Sequence, residues 1–365
     1  MAITSFTSAN SLTRKAWSAR LFEEVLKTCW ASKFMGEGSD SLCQIKTELK
    51  KDKGDQVTFG LRMQLSGDGV SGDAVLEGNE EALTFYNDAL VIDQLRHAVR
   101  NRAGMTNQRV LFDLRMEAKD GLRDWWAARL DFWFFNQLCG NTAQTDTRYT
   151  GMQAAIAPDV NHRLWQSIST TSIANDETLT ATDVFNLTLI DRAVNRAKTL
   201  DNVATTTGAV PIRPIMVGGD PKYVMFLHPH QVYQLRTNTN TGQWLDIQKA
   251  AITGGQISKN PIYTGAMAEY NGVVMHEAFR VTNGIHSTTG AAQTNVRRAV
   301  LCGAQAAVIT FDDGSDPTQM SWDEETFDYE KLYGGKAGMI AGLKKTRFNS
   351  LDFGILTISS YSPTP

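Results

Sequence analysis

The sequence predicts an α+β fold built around one long helix. Three observations carry that expectation. Residues 105–139 place apolar side chains every three or four positions, at Leu111, Leu114, Ala118, Leu122 and Trp125, then Trp126, Leu130, Trp133 and Phe134. That is the spacing of a helix with one buried face. Residues 55–65 alternate through Val57, Phe59, Leu61, Met63 and Leu65, the period of a strand. Between about 211 and 311, short apolar runs (PIRPIMVGG, YVMFL, GVVMHEAFRV, RRAVLCGAQAAVIT) alternate with a helix opened by His228-Pro229.

The elements follow in order. Residues 1–50 read as an arm whose stretch from Ser18 to Phe34 suits an amphipathic helix, with Leu21, Val25 and Cys29 beside Phe22, Leu26 and Trp30. Residues 55–97 read as a long hairpin. Its second extended run spans Leu83 to about Val99, and its tip holds Gly67, Asp68, Gly69, Gly72, Asp73 and Gly78. An isolated two-stranded ribbon is marginal in water, so it should lie on the body or on another chain. The helix 105–139 is a rod of roughly 50 Å at ~1.5 Å per residue. Arg109 and Asp113 can pair on its wet side, Gly121 can bend it, and Gly140 ends it. Residues 141–181 look loop-like. A helix is expected from Asp183 to about Leu200, capped by Thr182 or Asp183. From Trp322 to Tyr361 two extended runs flank GGKAGMIAG.

Composition sets the limits. The chain has 365 residues, 42% hydrophobic and 21% charged, enough to build its own core. The net charge of -3 is not the footprint of a phosphate-neutralising protein. Cys29, Cys43, Cys139 and Cys302 are far apart, as expected of reduced thiols. The N-terminus has no apolar run of the secretory kind, and no window reaches membrane-spanning length. Synthesis in the cytoplasm and no membrane partner are expected.

Several fragments spell enzyme motifs without their context. Gly67-x-Gly69-x-x-Gly72 is followed by another strand, not by the helix a pyrophosphate needs. Asp352-Phe353-Gly354 spells a kinase motif. However, no lysine lies between 54 and 118, where a strand lysine would hold phosphates. His276-Glu277 opens like a zinc helix, but the second histidine is Arg280 and the neighbourhood reads as strand. His228 and His230 fit a helix start better than a metal pair, and Asp312–Asp316 reads as a solvated turn. Trp125, Trp126 and Trp133, with Leu114, Leu122 and Leu130, read as core or interface anchors. No catalytic, cofactor-binding or metal-ligating residue is assigned, and no cofactor is expected.

The segments QVTFGLRMQLSG (56–67), LRMEAKDGLRDWWAARLDFWFFNQLCG (114–140), YVMFLHPHQVYQL (223–235), NPIYTGAMAEYNGVVMHE (260–277) and RRAVLCGAQAAVI (297–309) stand in a telling order. With the arm and the C-terminal run, the chain resembles tailed-phage capsid proteins of the Hong Kong 97 type, and more closely the N4-like podophage major capsid family. The resemblance spans roughly 15–360. It implies an N-arm (1–50), an extended E-loop (51–103) and a peripheral P-domain with the spine helix (104–204). It further implies an axial A-domain (205–312) and a return to the P-domain (313–365).

The resemblance also implies a non-enzymatic shell subunit, arranged as hexamers and pentamers of an icosahedral head that encloses double-stranded DNA without reading its sequence. The partners implied are the chain itself, a portal, a scaffolding protein and a cement or decoration protein. One feature of some shells of this type does not carry over: with no lysine between 54 and 118, the hairpin lacks the nucleophile for an isopeptide cross-link. Two alternatives remain at this point. One is an encapsulin-type compartment. The other is a soluble α/β enzyme using Asp312–Asp316 or His228 and His230.

Overall fold

The computed structural model describes residues 21, 24, 25, 27, 29–46, 55–62, 69–73, 75–80, 82–102, 109, 113–166, 175–200, 211–217, 219–238, 267–312, 320–329 and 331–364. After a 3-10 turn at Trp30–Phe34 come β1 (Met35–Gly36), β2 (Cys43–Lys46), β3 (Gln56–Arg62), β4 (Phe85–Val91) and β5 (Asp93–Arg102). Then follow α1 (Leu114–Leu138), α2 (Thr147–Thr150), β6 (Arg163–Trp165), α3 (Leu187–Thr199), β7 (Ile215–Val217), β8 (Asp220–Leu227) and α4 (Pro229–Thr237). Next are β9 (Ala268–Tyr270), β10 (Val273–Glu277), β11 (Asn283–Ile285), β12 (Ala292–Cys302) and β13 (Ala307–Asp312). The chain closes with β14 (Ser321–Phe327), β15 (Leu332–Lys345), β16 (Arg347–Phe348), β17 (Leu351–Asp352) and β18 (Ile355–Tyr361).

Two sheets hold the molecule together. One has the order β1-β2-β13-β15-β14, with β5 on the other side of β15. The second has the order β6-β18-β12-β8-β10-β9, with β11 on β12 and β7 on β8. The second sheet is buried on both faces, which is why its strands read as apolar runs rather than alternations. Val224, Phe226, Val300 and Cys302 join a core with Trp126, Trp133 and Phe134 of α1 and Phe34 of the arm. Tyr223, Met225, Leu227 and Leu301 point the other way, into a core with Leu189, Ile190 and Ala193 of α3 and Val232 of α4. The alternation between neighbours is the pleat of a strand.

Several sequence expectations change. The second run of the hairpin breaks at Ile92. β4 pairs with β3, whereas β5 pairs with β15 over ten consecutive positions, from Asp93↔Ala341 to Arg102↔Leu332. The crossing is close: a Cβ on Gly342 would collide with Val91 O, so only glycine lets the hairpin base pass over β15. GGKAGMIAG therefore lies inside β15 instead of between two strands.

The long helix is described from Leu114. Asp113 is extended and its side chain accepts from Arg115 N (2.9 Å), which caps the helix there. Residues 103–108 and 110–112, and with them Leu111, lie outside the described residues. α3 starts at Leu187 because Asn186, and neither Thr182 nor Asp183, caps it by accepting from Leu189 N (2.9 Å). Asp183 instead accepts from Thr180 N and Oγ1. The loop-like stretch 141–181 contains α2 and a strand, β6, that pairs parallel with β18. In the arm, Leu21, Glu24, Val25 and Lys27 are helical, but Cys29 is extended and Trp30–Phe34 tightens into a 3-10 turn. Asp131 of α1 is the cause: its carboxylate accepts from Trp30 N (3.3 Å), Ala31 N (3.0 Å) and Cys29 Sγ (3.1 Å).

Candidate assembly surfaces

The hairpin β3–β4 is tied to the body only near its base among the described residues. Asp88 accepts from Lys344 Nζ and from Arg347 N (3.0 Å), the Phe59 ring meets Phe348 at 6.0 Å, and Leu90 is buried. Further out, the expected tip residues Gly69, Gly72, Asp73 and Gly78 are exposed, while Gly67 and Asp68 lie outside the described residues. Gly69, Gly72 and Gly78 have φ of 70°, 65° and 90°, a region that side chains disfavour. The loop is shaped by its own bonds, Gly78 N to Glu80 Oε2 (2.7 Å) and Asn79 Nδ2 to Val75 O (2.9 Å). It exposes Val75 (69%), Leu76 (61%), Leu83 (53%) and Phe85 (64%). A cluster of large apolar side chains left in water marks an interaction surface.

The spine residues divide by burial. Leu122, Trp126, Leu130 and Trp133 are wholly buried, whereas Leu114 and Trp125 are half-buried. Trp133 Nε1 donates to Arg148 O (2.7 Å), so the indole is both packed and satisfied. Three polar groups in this region carry weight that the apolar pattern did not reveal. Asp131 anchors the arm as described above. Arg298 and Asp176, both buried, pair at 2.8 Å, and Arg298 Nη1 also donates to Cys139 O and Gly140 O beyond the end of α1. Asp131 left a trace in the sequence, as a lone carboxylate in the apolar run ARLDFWFF.

The enzyme-like fragments take structural places. His276 sits in β10, buried, with Phe34 at 5.1 Å and Trp30 and Phe226 both at 6.2 Å. His228 is the N-cap of α4: its Nδ1 accepts from His230 N (3.2 Å) and Gln231 Oε1 accepts from His228 N (3.0 Å). Burial, then the charge of Arg297 and the neighbouring His230, pushes its pKa down to about 3. Asp352 is bound to Lys345 and Arg347. Among the described residues no His, Cys, Asp and Glu group together as a metal site, and Asp313–Asp316 lie outside them. All four cysteines are buried and unbridged, and burial pushes their thiols up. No described helix is long and apolar enough to cross a membrane.

The described subunit combines a spine helix, an arm pinned to it and a hairpin whose loop leaves large apolar side chains exposed. Residues 5–364 match the phage capsid protein family, to which this chain therefore belongs. The major capsid protein of Pseudomonas phage KPP25 is 28% identical over 97% of this chain and 96% of its own length. The capsid of Ralstonia phage GP4 superposes with a TM-score of 0.77 at 34% identity, covering 92% of this chain and 91% of its own. The cyanophage Pam1 capsid shares the fold at a TM-score of 0.69 and 20% identity, over the full length of both chains. The fold is the Hong Kong 97-like fold of tailed-phage capsids, and the work of the chain is that of a phage major capsid protein in the virion shell.

Proposed function

We propose that copies of this chain close into hexamers and pentamers of an icosahedral head around the double-stranded DNA of a tailed phage. In this reading residues 1–50 are the N-arm and 51–103 the E-loop. Residues 104–204 are the P-domain, 205–312 the A-domain, and 313–365 return to the P-domain. The carrying observation is the hairpin loop, whose exposed Val75, Leu76, Leu83 and Phe85 have no cover within the described subunit. The left-handed glycines at its tip let the loop bend between unequal positions in a shell. A net charge of -3 suits a wall that confines DNA without adhering to it. The subunit is structural, with no turnover of its own. It is made in the host cytoplasm, assembles with a portal on a scaffolding protein, and draws its strength from contacts or a cement protein. It forms no isopeptide bond through a lysine of the hairpin 55–97, because residues 54–118 contain no lysine.

The test is deletion of residues 66–81 in the chain co-expressed with its scaffold. The expected result is a folded subunit that forms no polyhedral particles in negative-stain images. Particles of normal number and shape, or loss of the folded subunit, overturn the reading. Boiled denaturing gels of whole shells are expected to show a single subunit band and no covalent ladder.

A further inference from the structure

The chain carries asparagine before glycine at Asn271-Gly272 and at Asn283-Gly284. A glycine nitrogen is not shielded by a side chain of its own residue, so it can close on the asparagine side chain before it. The two pairs sit in different settings. Asn271 and Gly272 form the whole loop between β9 and β10, since Tyr270 pairs with Val273. Both are left-handed, with φ of 47° and 73°, as a two-residue hairpin loop requires. Asn271 is exposed. Gly284, in contrast, is buried in β11, where it pairs with Gln293 of β12 and a Cβ would collide with Val296 Cγ1.

One carboxylate holds the exposed pair. Asp191 of α3 accepts from Asn271 Nδ2 (3.0 Å) through one oxygen and from Tyr270 OH (2.9 Å) through the other. Gly272 O accepts in turn from Tyr223 N of β8 (2.8 Å). β9 ends its sheet and pairs with β10 at three positions. Two of the bonds that tie α3 to this edge therefore meet at Asp191.

We propose that Asn271 is a site of self-modification, converting to aspartate and isoaspartate in the folded subunit, and that Asp191 sets the rate. The Gly272 nitrogen gives up its proton to solvent base and bonds to Cγ of Asn271. The Cγ–Nδ2 bond breaks, and Nδ2 leaves as ammonia with a proton from water. Water then opens the cyclic imide at either carbonyl. In sum a water is consumed and an ammonia released, with no change of oxidation state. The hydrogen bond to Asp191 must be given up before the side chain can turn toward Gly272 N, so Asp191 slows the closure. At Asn283 the same ring cannot close until β11 opens from β12.

The product undoes the tie that restrained it. An aspartate at 271 sets a carboxylate against Asp191 where a hydrogen bond stood, and like charges at that distance repel. Isoaspartate also lengthens the main chain by a methylene, which a two-residue loop cannot absorb without disturbing the β9–β10 pairing. Conversion therefore loosens β9 from α3. The site lies outside the hairpin 55–97 and α1, so it does not depend on how the hairpin is read.

The test uses the wild-type chain. The two pairs fall on separate tryptic fragments, 260–280 and 281–297, bounded by Lys259, Arg280 and Arg297. Asn260 precedes Pro261, whose nitrogen carries no proton, so it cannot close the ring. Folded subunits are warmed at mildly alkaline pH and both fragments are followed by mass spectrometry. Fragment 260–280 is expected to gain the mass of an amide-to-acid exchange at least about tenfold faster than 281–297, with isoaspartate at 271. Unfolding in urea should bring the two rates together. No conversion at 271, or conversion at 283 as fast in the folded chain, overturns the proposal. A difference that survives unfolding also overturns it, because it then comes from the sequence and not from the fold. Asp191→Ala should raise the rate at 271 by about threefold and leave 283 unchanged, and a rate that does not rise overturns the role of Asp191. Asn271→Asp should lower the melting temperature, and Asn271→Asp with Asp191→Asn should restore it, because donor and acceptor have changed sides. No recovery in the swap overturns the stated consequence.

Discussion

Lys345 Nζ lies 2.8 Å from Asp352 Oδ2, with both side chains wholly buried. Arg347 Nε stands 3.0 Å from the other carboxylate oxygen. Asp352 N donates to Asp159 Oδ2 (2.7 Å), and the same oxygen holds His162 Nδ1 at 2.7 Å. This group ties the loop before β6 to the end of β15 and to β17. Removing one member of a buried pair leaves an uncompensated charge, which is the costly event. Asp352→Asn strands Lys345 and should destabilise the subunit by about 3–5 kcal/mol in urea denaturation. Lys345→Met should cost distinctly less, because Arg347 still answers the carboxylate. Equal losses in the two variants contradict this division of roles.

The cap of α4 sets a pH dependence. His228 Nδ1 accepts a hydrogen bond, so it must be unprotonated in the folded chain. Its folded pKa is pushed down to about 3, below the ordinary value of 6.5. A base with a depressed folded pKa gives stability that is complete above about 6.5 and lost as pH falls from there toward 3. His228→Asn keeps a capping acceptor and removes the titration. Between pH 7 and pH 5 the wild type should lose about 1 kcal/mol more than this variant, partial exposure having been allowed for. Parallel urea midpoints for the two proteins across that range contradict the assignment.

Burial separates adjacent tryptophans. Trp126 is wholly buried and Trp125 is half-buried between His97 and Arg129. Trp126→Ala should cost about 3–5 kcal/mol in thermal or urea melting, and Trp125→Ala about half as much. Trp125→Ala should instead act mainly on particle yield.

Asp131 should control the arm. Its carboxylate takes the first donors of the Trp30–Phe34 turn, and Asp131→Ala leaves those backbone groups without their acceptor. Loss of about 2–3 kcal/mol is expected, together with faster proteolysis between residues 29 and 36. Cleavage rates equal to wild type show that the turn is held by packing instead.

Much of this was legible in the sequence, for reasons that differ by element. α1 was visible because one of its faces is buried along most of its length, which prints a period of three and four on the chain. β3 was visible because only one of its faces is covered. The first residue of α1 was missed because the cap is an aspartate that also suits a helix interior pair with Arg109. The break at Ile92 was invisible because β4 and β5 are both extended, and only their partners differ. GGKAGMIAG looked like a connection because glycine usually weakens strands, whereas here it makes room for a crossing strand. The stacked group of His97, Trp125, Arg129 and Tyr149 draws on β5, α1 and α2, so no local window of sequence contains it.

The ten-position register between β5 and β15 has a mechanical meaning. A pull along β5 from its first residue, Asp93, runs parallel to a strand that is bonded sideways to β15. Inter-strand hydrogen bonds lie across such a pull, so they carry the load together rather than parting one at a time. β15 passes that load on to β14, β13 and α1 at once. Tension directed along β5 loads the subunit in shear, not by peeling, so strain spreads through the sheet instead of falling on one contact.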